Sequence, residues 1–319
     1  MRNLAGSKFP NSCHSEELVA IMQRAVHACQ TVDSSLQAVT GITMRERETM
    51  IAKRLISPEF AWQEPGRAVL LTKPTHSKSK HSPKGAPKDS PVAEVNPPHM
   101  LSVMVNEEDH LRVQMLSRGL ELDDHRLRSF VKTLEDYLPF AHTRHDGYLA
   151  SSVMNSGRGS RYSVLFQLIG LQLTGELQSV LATLVTSRIT LRGAFGEGTK
   201  PIGSFLQVSS TAMEWKTFLI TCEYLLEKEL SARRRLSEKA INDLSEKSVK
   251  MIYESDEIDF PLAIRYLSLR RLIATNKHPE HLLKIDAEIE CTESHFANFS
   301  DPDTVTSQLA QLRSLLELK

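Results

Sequence analysis

Apolar residues recur at helical spacing across Ser15–Cys29, where Leu18, Val19, Met22, Ala25, Val26 and Cys29 fall on one face. Ser15, with two glutamates behind it, suits the N-cap of that helix. A second, short helix is expected over Arg45–Leu55, ended by Pro58. Leu122–Leu138 repeats the pattern, aligning Leu122, Leu127, Phe130, Val131, Leu134 and Leu138. Short apolar runs bounded by turn residues predict strands at Ala68–Thr72, Leu101–Asn106, Tyr148–Val153, Tyr162–Ile169, Ile189–Phe195 and Phe205–Ser209. Gly175–Ser187 reads as a helix. From Ala212 onward the pattern is helical with charged faces, with Pro261, Pro279 and Pro302 as its breakers, which predicts a helical subdomain over 212–319.

One stretch breaks the pattern. Residues 73–99 hold six of the 14 prolines and five lysines but no aromatic side chain. Such a segment cannot bury enough surface to offset its ordering entropy, so a disordered surface loop is expected there. A binding arm for nucleic acid or a partner is the alternative reading.

Composition narrows the function classes. The chain has 319 residues, room for one large or two medium domains, and 40% of them are hydrophobic, enough for a real core. Lys+Arg and Asp+Glu are both 39, so the formal charge of zero argues against a globally basic nucleic-acid binder. No apolar run is long enough to span a bilayer, and MRNLAGSKFPNSCHSEE has no apolar core of a secretory signal. Cys13, Cys29, Cys222 and Cys291 form no CxxC pair, and the 12 histidines show no HxH or HExxH spacing. The expectation is a cytoplasmic protein without a structural metal, nucleic-acid or membrane partner.

Three clusters carry candidate chemistry. Asn106-Glu107-Glu108-Asp109-His110-Leu111-Arg112 follows a strand and packs three acids, a histidine and an arginine together. Asn155-Ser156-Gly157-Arg158-Gly159-Ser160-Arg161 is a glycine-rich turn containing arginines, and Arg192-Gly193-Ala194-Phe195-Gly196-Glu197-Gly198 joins an arginine, a glutamate and three glycines. Guanidinium forks bind phosphate oxygens in bidentate fashion and stay charged, and glycines allow close backbone approach. Carboxylates such as Glu108 and Glu197 suit a cationic acceptor. Phosphoryl transfer needs mainly positioning and charge neutralisation, which these groups supply together. There is no GxxxxGK[ST] loop and no HRD or DFG set.

Several of these segments, in this order, resemble the ATP:guanidino phosphotransferase (phosphagen kinase) superfamily. Asn106–Arg112 (NEEDHLR) is similar to its signature and Arg192–Glu197 (RGAFGE) to its RGxxGE segment. Tyr148–Arg161 (YLASSVMNSGRGSR) is similar to its reactive-cysteine loop and N-x-G-x-G-x-R pattern, and Arg2–Gly6 to its ARNLAG-type stretch. Leu55-Ile56-Ser57-Pro58 and Leu173-Thr174-Gly175-Glu176 resemble the bacterial branch, the protein arginine kinases. The resemblance runs from residue 2 to about 211, interrupted by 73–99, and implies an α+β fold: an antiparallel sheet flanked by helices, with a catalytic domain over 1–211 and a helical region over 212–319. It implies ATP and Mg2+, transfer to protein arginine, a Clp-type protease as downstream partner, and is compatible with a homodimer.

Carried over by position, Glu108 and Glu197 are the carboxylates that orient and deprotonate the guanidinium. Arg54, Arg112, Arg161 and Arg192 face the phosphates. The backbone of Tyr162, Ser163, Val164 and Leu165 and of Gly193, Ala194, Phe195 and Gly196 borders the nucleotide, and magnesium bridges phosphates largely through water. Ser152 occupies the position of the family's reactive cysteine, Val153 and Met154 replace its Pro-Thr pair, Arg54 replaces its histidine, and its S-x-R-x-R strand would precede Met1. Two alternatives stay open: a binding module without turnover, and a kinase of a small guanidino compound.

Overall fold

The computed structural model describes residues 1–39, 43–57, 60, 65–72, 100–117, 120, 122, 124–184, 188–193, 204–254, 260–277, 285–286 and 289. Segment 73–99, Pro58, Pro279, Cys291 and residues 194–203 lie outside them. The chain divides into two compact units. One comprises Met1–Thr43 and Leu55–Arg161, the other Met44–Arg54 and Tyr162–Lys319.

The first unit is built on a four-stranded antiparallel sheet of β1 (Leu36–Ala38), β2 (Ala68–Thr72), β3 (Met100–Val105) and β4 (Leu111–Leu116), in that order. The register aligns Val69, Met104 and Arg112 on one face, and Leu70, Val103 and Val113 on the other. Helices α1 (Ser15–Val32) and α3 (Asp124–Leu134) cover the second face, where Ile21, Ala25, Leu101, Val103, Phe130 and Leu134 form the core. The first face is closed by Leu55–Ser57, whose Leu55 carbonyl accepts Ser102 Oγ at 2.7 Å and Gln114 Nε2 at 3.0 Å. Covered on both faces, β3 reads as a continuous apolar run around one buried serine.

The second unit holds the antiparallel sheet β7 (Tyr162–Gln167), β9 (Phe205–Ser210) and β8 (Thr190–Arg192), ordered β7-β9-β8. Helices α2 (Met44–Ala52), α4 (Ile169–Leu173), α5 (Leu177–Leu184), α6 (Trp215–Arg235), α7 (Glu238–Glu254) and α8 (Phe260–Lys277) belong to it. Helix α6 packs on β7, α4 and α5, and α8 packs on α4 and α7. This is the α+β organisation expected, with antiparallel sheets and helices.

Several boundaries differ from the sequence reading, each for a physical reason. Helix α1 takes His14 as its N-cap, because the Glu17 carboxylate reaches back to the His14 N–H at 3.0 Å. Helix α2 ends at Ala52, and Arg54, at φ +61°, turns the chain away without help from Pro58. Pro261 sits in the first turn of α8, where its missing N–H is harmless, so it opens a helix rather than interrupting one. Tyr148–Val153 is not one strand: only Gly147–Tyr148 (β6) pairs, with His142–Thr143 (β5), and Val153–Asn155 is a 3-10 turn. Between them, Ser151 bonds to the Asn106–His110 turn instead. Ile169 belongs to α4 and not to the preceding strand.

Candidate active site

The acidic cluster forms the turn between β3 and β4, closed by the Val105–Leu111 pair. It begins at Asn106, whose φ of +55° is tolerated by asparagine better than by most side chains. Asn106 is buried and donates through Nδ2 to the Gly66 carbonyl at 2.6 Å and the Leu18 carbonyl at 2.9 Å. The turn is therefore fixed from beneath.

It is fixed from the side by Asn3. Its Nδ2 donates to Asp109 Oδ1 at 2.6 Å and to the Leu149 carbonyl at 3.3 Å, and its Oδ1 accepts the His110 N–H at 2.9 Å. The Leu4 N–H donates to His110 Nδ1 at 3.0 Å, so the neutral ring carries its proton on Nε2. That Nε2 closes no hydrogen bond, although the Lys8 carbonyl and the Asp109 charge both favour the charged ring. Burial outweighs them and lowers the His110 pKa.

Asp109 Oδ1 also accepts the Ser151 N–H at 2.7 Å, and Ser151 Oγ donates to the Glu108 carbonyl at 2.6 Å. These two bonds dock the segment that carries Ser152 onto the segment that carries Glu108. Asn3 and Ser151 are thus supports of the site that sequence reasoning passed over, whereas Asp109 and His110 belong to the acidic cluster it singled out and serve there as hydrogen-bonding supports. Their signal was a run of polar residues at positions that turn out to be buried: Asn3, Asp109 and His110 are at most 1% exposed.

Arg112 lies on β4 in register with Met104, and its Nη1 pairs with Glu107 Oε1 at 3.3 Å. Glu107 also accepts the Ser57 hydroxyl. Of the two adjacent glutamates, Glu107 is thus committed to an arginine. The positive charges of Arg2, Arg112 and Arg161 all bear on the Met1 amine, whose pKa burial lowers to about 5 with their help. The Asp109 charge opposes them at that amine, and both Arg112 and Arg161 lie in the first unit.

The glycine-rich turn is used locally. Gly159 adopts φ +61°, and a Cβ there would fall 1.9 Å from Arg2 Nη1. Arg2 donates to the Gly159 carbonyl at 2.7 Å and lies over the Tyr148 ring, 3.5 Å from its centroid. Gly157 bridges to Tyr148.

The second unit carries the other candidates. Leu165, Gln207 and Arg192 are in register across β7, β9 and β8, as are Ser163, Ser209 and Thr190. Residues in register share a face, so Ser163, Leu165 and Arg192 lie on one side of the sheet. Leu165 is 38% exposed there. Tyr162 and Val164 point to the other side. Tyr162 packs against Trp215 and Phe218, with centroids 5.2 and 6.1 Å away, so only its backbone is available to a nucleotide. Gly193 is buried at the end of β8, and Arg54 is half-buried after α2. Ala194, Phe195, Gly196 and Glu197 lie outside the described residues. Among the described residues no group of three His, Cys, Asp or Glu side chains gathers as for a metal ion. No helix among them is long and apolar enough to cross a membrane.

Residues 17–213 match the family model of the ATP:guanido phosphotransferase C-terminal catalytic domain. This chain belongs to that family. A protein-arginine kinase of Desulforamulus reducens is 31% identical over 262 residues, covering 77% of this chain and 67% of that protein. One from Moorella thermoacetica is 33% identical over 218 residues, 66% of this chain and 55% of that protein. Within the ATP:guanido phosphotransferases the chain stands with these bacterial protein-arginine kinases. It spans between about half and two thirds of their length. Among solved structures, the duplicated taurocyamine kinase of Schistosoma mansoni with bound transition-state-analogue components superimposes with a TM-score of 0.55 at 17% identity, over 89% of this chain and 38% of that one. A lombricine kinase gives a TM-score of 0.52 at 18% identity, over 74% and 65%. Both share the fold.

Proposed function

We propose that this chain transfers the γ-phosphoryl group of ATP to the guanidinium of an arginine residue in a protein. The observation that carries the reading is the anchored Glu108 turn, with Arg112 and Arg161 in the same unit, in a chain 31% identical to a protein-arginine kinase.

Glu108 accepts hydrogen bonds from the guanidinium, holds it for in-line attack and takes a proton as the N–P bond forms and the bond from the γ-phosphorus to the bridging oxygen breaks. ADP leaves with the released electron pair. Arg112, Arg161, Arg192 and Arg54 neutralise the phosphates, the backbone of Tyr162–Leu165 and Gly193–Gly196 borders the nucleotide, and Glu197 supplies the second carboxylate. Magnesium enters as part of the nucleotide substrate. Ser152 hydrogen-bonds the guanidinium without contributing the charge a thiolate would bring.

Modified proteins pass to a Clp-type protease, as the arginine-kinase relationship implies. Free thiols at Cys13, Cys29 and Cys222 suit the reducing cytoplasm. A second reading, nucleotide binding without turnover, is favoured by Ser152 and Arg54, which stand where the family carries a cysteine and a histidine.

Incubation with ATP and an arginine-rich protein, followed by mass spectrometry under conditions that preserve N–P bonds, tests the proposal. Phosphoarginine is expected, and Glu108→Gln reduces it by about 100-fold or more. ATP binding without phosphoarginine would transfer support to the second reading. Phosphorylation of free arginine alone would point to a small-molecule kinase.

A further inference from the structure

Glu229 on α6 is a carboxylate that the chemistry above does not use, yet it is only 2% exposed. A buried carboxylate needs partners, and this one has them on both oxygens. Oε1 accepts the Gly170 N–H at 2.8 Å and Oε2 the Leu171 N–H at 2.9 Å. One turn along α6, Arg233 brings Nε to 2.5 Å from Oε1 and donates Nη2 to the Gln167 carbonyl at 3.0 Å. Gln167 is the last residue of β7, and Gly170 and Leu171 open α4. From α8, Arg271 reaches Gln167 Oε1 at 3.4 Å and Asp286 at 2.7 Å. The approach of α4 to α6 is as close as backbone allows: a Cβ on Gly170 would meet Arg233 Cγ at 2.8 Å and the Glu229 carbonyl oxygen at 3.0 Å.

Strand β7 pairs only with β9 in its sheet among the described residues. One ladder fixes its register but leaves its far end free to pivot, unless something holds that end. Arg233 and Glu229 hold it, at the carbonyl of Gln167 and at the two amides that follow. Leu165, on the face shared with Arg192, lies two residues from that anchor.

We propose that Glu229 and Arg233 are positioning residues for the nucleotide: from α6, beyond the span of the family match, they fix the end of β7 and thereby set the affinity for ATP. This rests on the reading that ATP borders β7. It also makes the C-terminal helices part of the nucleotide half rather than an appendage.

The test uses Glu229→Gln and Arg233→Lys in the full chain. Three readouts are followed: ATP Kd by calorimetry, turnover at saturating ATP, and hydrogen exchange at residues 162–173. Glutamine can accept one of the two amides but not both, and lysine cannot bridge Glu229 and Gln167 with fixed geometry. Each variant is expected to raise the ATP Kd roughly tenfold and to speed exchange at 162–173, with turnover at saturating ATP within about threefold. A lowered melting temperature with unchanged Kd would show a merely structural pair and overturn the proposal, as would unchanged exchange. An unmodified chain that binds no ATP sinks the functional reading and this proposal with it. ATP binding of equal strength in all three chains sinks this proposal alone.

Discussion

Asn3→Ala is the most revealing single change in the first unit. The side chain is fully buried and makes three hydrogen bonds, to Asp109 Oδ1, the His110 N–H and the Leu149 carbonyl. Alanine removes all three. Asp109 keeps only the Ser151 amide, and its Oδ2 has no hydrogen-bond partner to begin with. Loss of a hydrogen bond to a buried charge costs about 1.5–3 kcal/mol, and stranding the His110 N–H costs about 1–3 kcal/mol more. Since the two share a partner they do not add fully, and about 3–4 kcal/mol is expected in total. The assay is native-state hydrogen exchange at the amides of β3 and β4, because it reads the affected strands locally. Phosphotransfer should fall as the Glu108 and Ser152 segments loosen, while ATP Kd stays within about threefold. A change below about 1 kcal/mol at those amides would refute the claim that Asn3 holds the turn.

Arg54→Gly relieves a left-handed backbone position at φ +61° and should stabilise the second unit by about 0.5–1 kcal/mol while weakening ATP binding; thermal melts and calorimetry should move in opposite directions. Ser152→Cys should raise the turnover number and make it sensitive to thiol alkylation, and an unchanged rate would show that charge at this position is not limiting. Because burial lowers the His110 pKa, the unfolded chain binds its proton first. Stability contributed by the neutral ring is complete above about pH 6.5 and declines as pH falls below it. His110→Asn should flatten that part of a stability–pH curve, and an identical curve would remove the histidine from the account.

Local pattern made the long elements legible. Ala68–Thr72 was read to the residue, and β7, β9, α3 and α5 within a few residues, because a buried face forces period and length together. The polar clusters are equally conspicuous in the sequence, since three acids beside an arginine stand out against apolar flanks. What pattern could not convey was the division of labour inside them. Glu107 and Glu108 are indistinguishable in sequence, yet one is spent on Arg112 and Ser57. Gly159 read as space for a phosphate, and its missing Cβ instead makes room for Arg2. Strand β4 is absent from the sequence reading although Leu111–Met115 alternates apolar and polar strictly; the alternation begins inside the acidic cluster, with Gln114 turned toward the Leu55 carbonyl and Arg112 toward Glu107. The supports at Asn3 and Ser151 depend on partners 42 to 146 positions away in the chain, a distance no local rule spans.

The second unit takes the segment Met44–Arg54, which carries α2, from the early part of the chain, whereas everything else in it follows Arg161. A ribosome therefore releases that helix long before the sheet it accompanies exists. Cutting the gene at residue 161 would not yield two self-sufficient halves either: the downstream piece would lack one helix, and the upstream piece would carry it as a stranded guest. Grafting the second unit onto other proteins should respect that exchange and move residues 44–54 together with everything after 161.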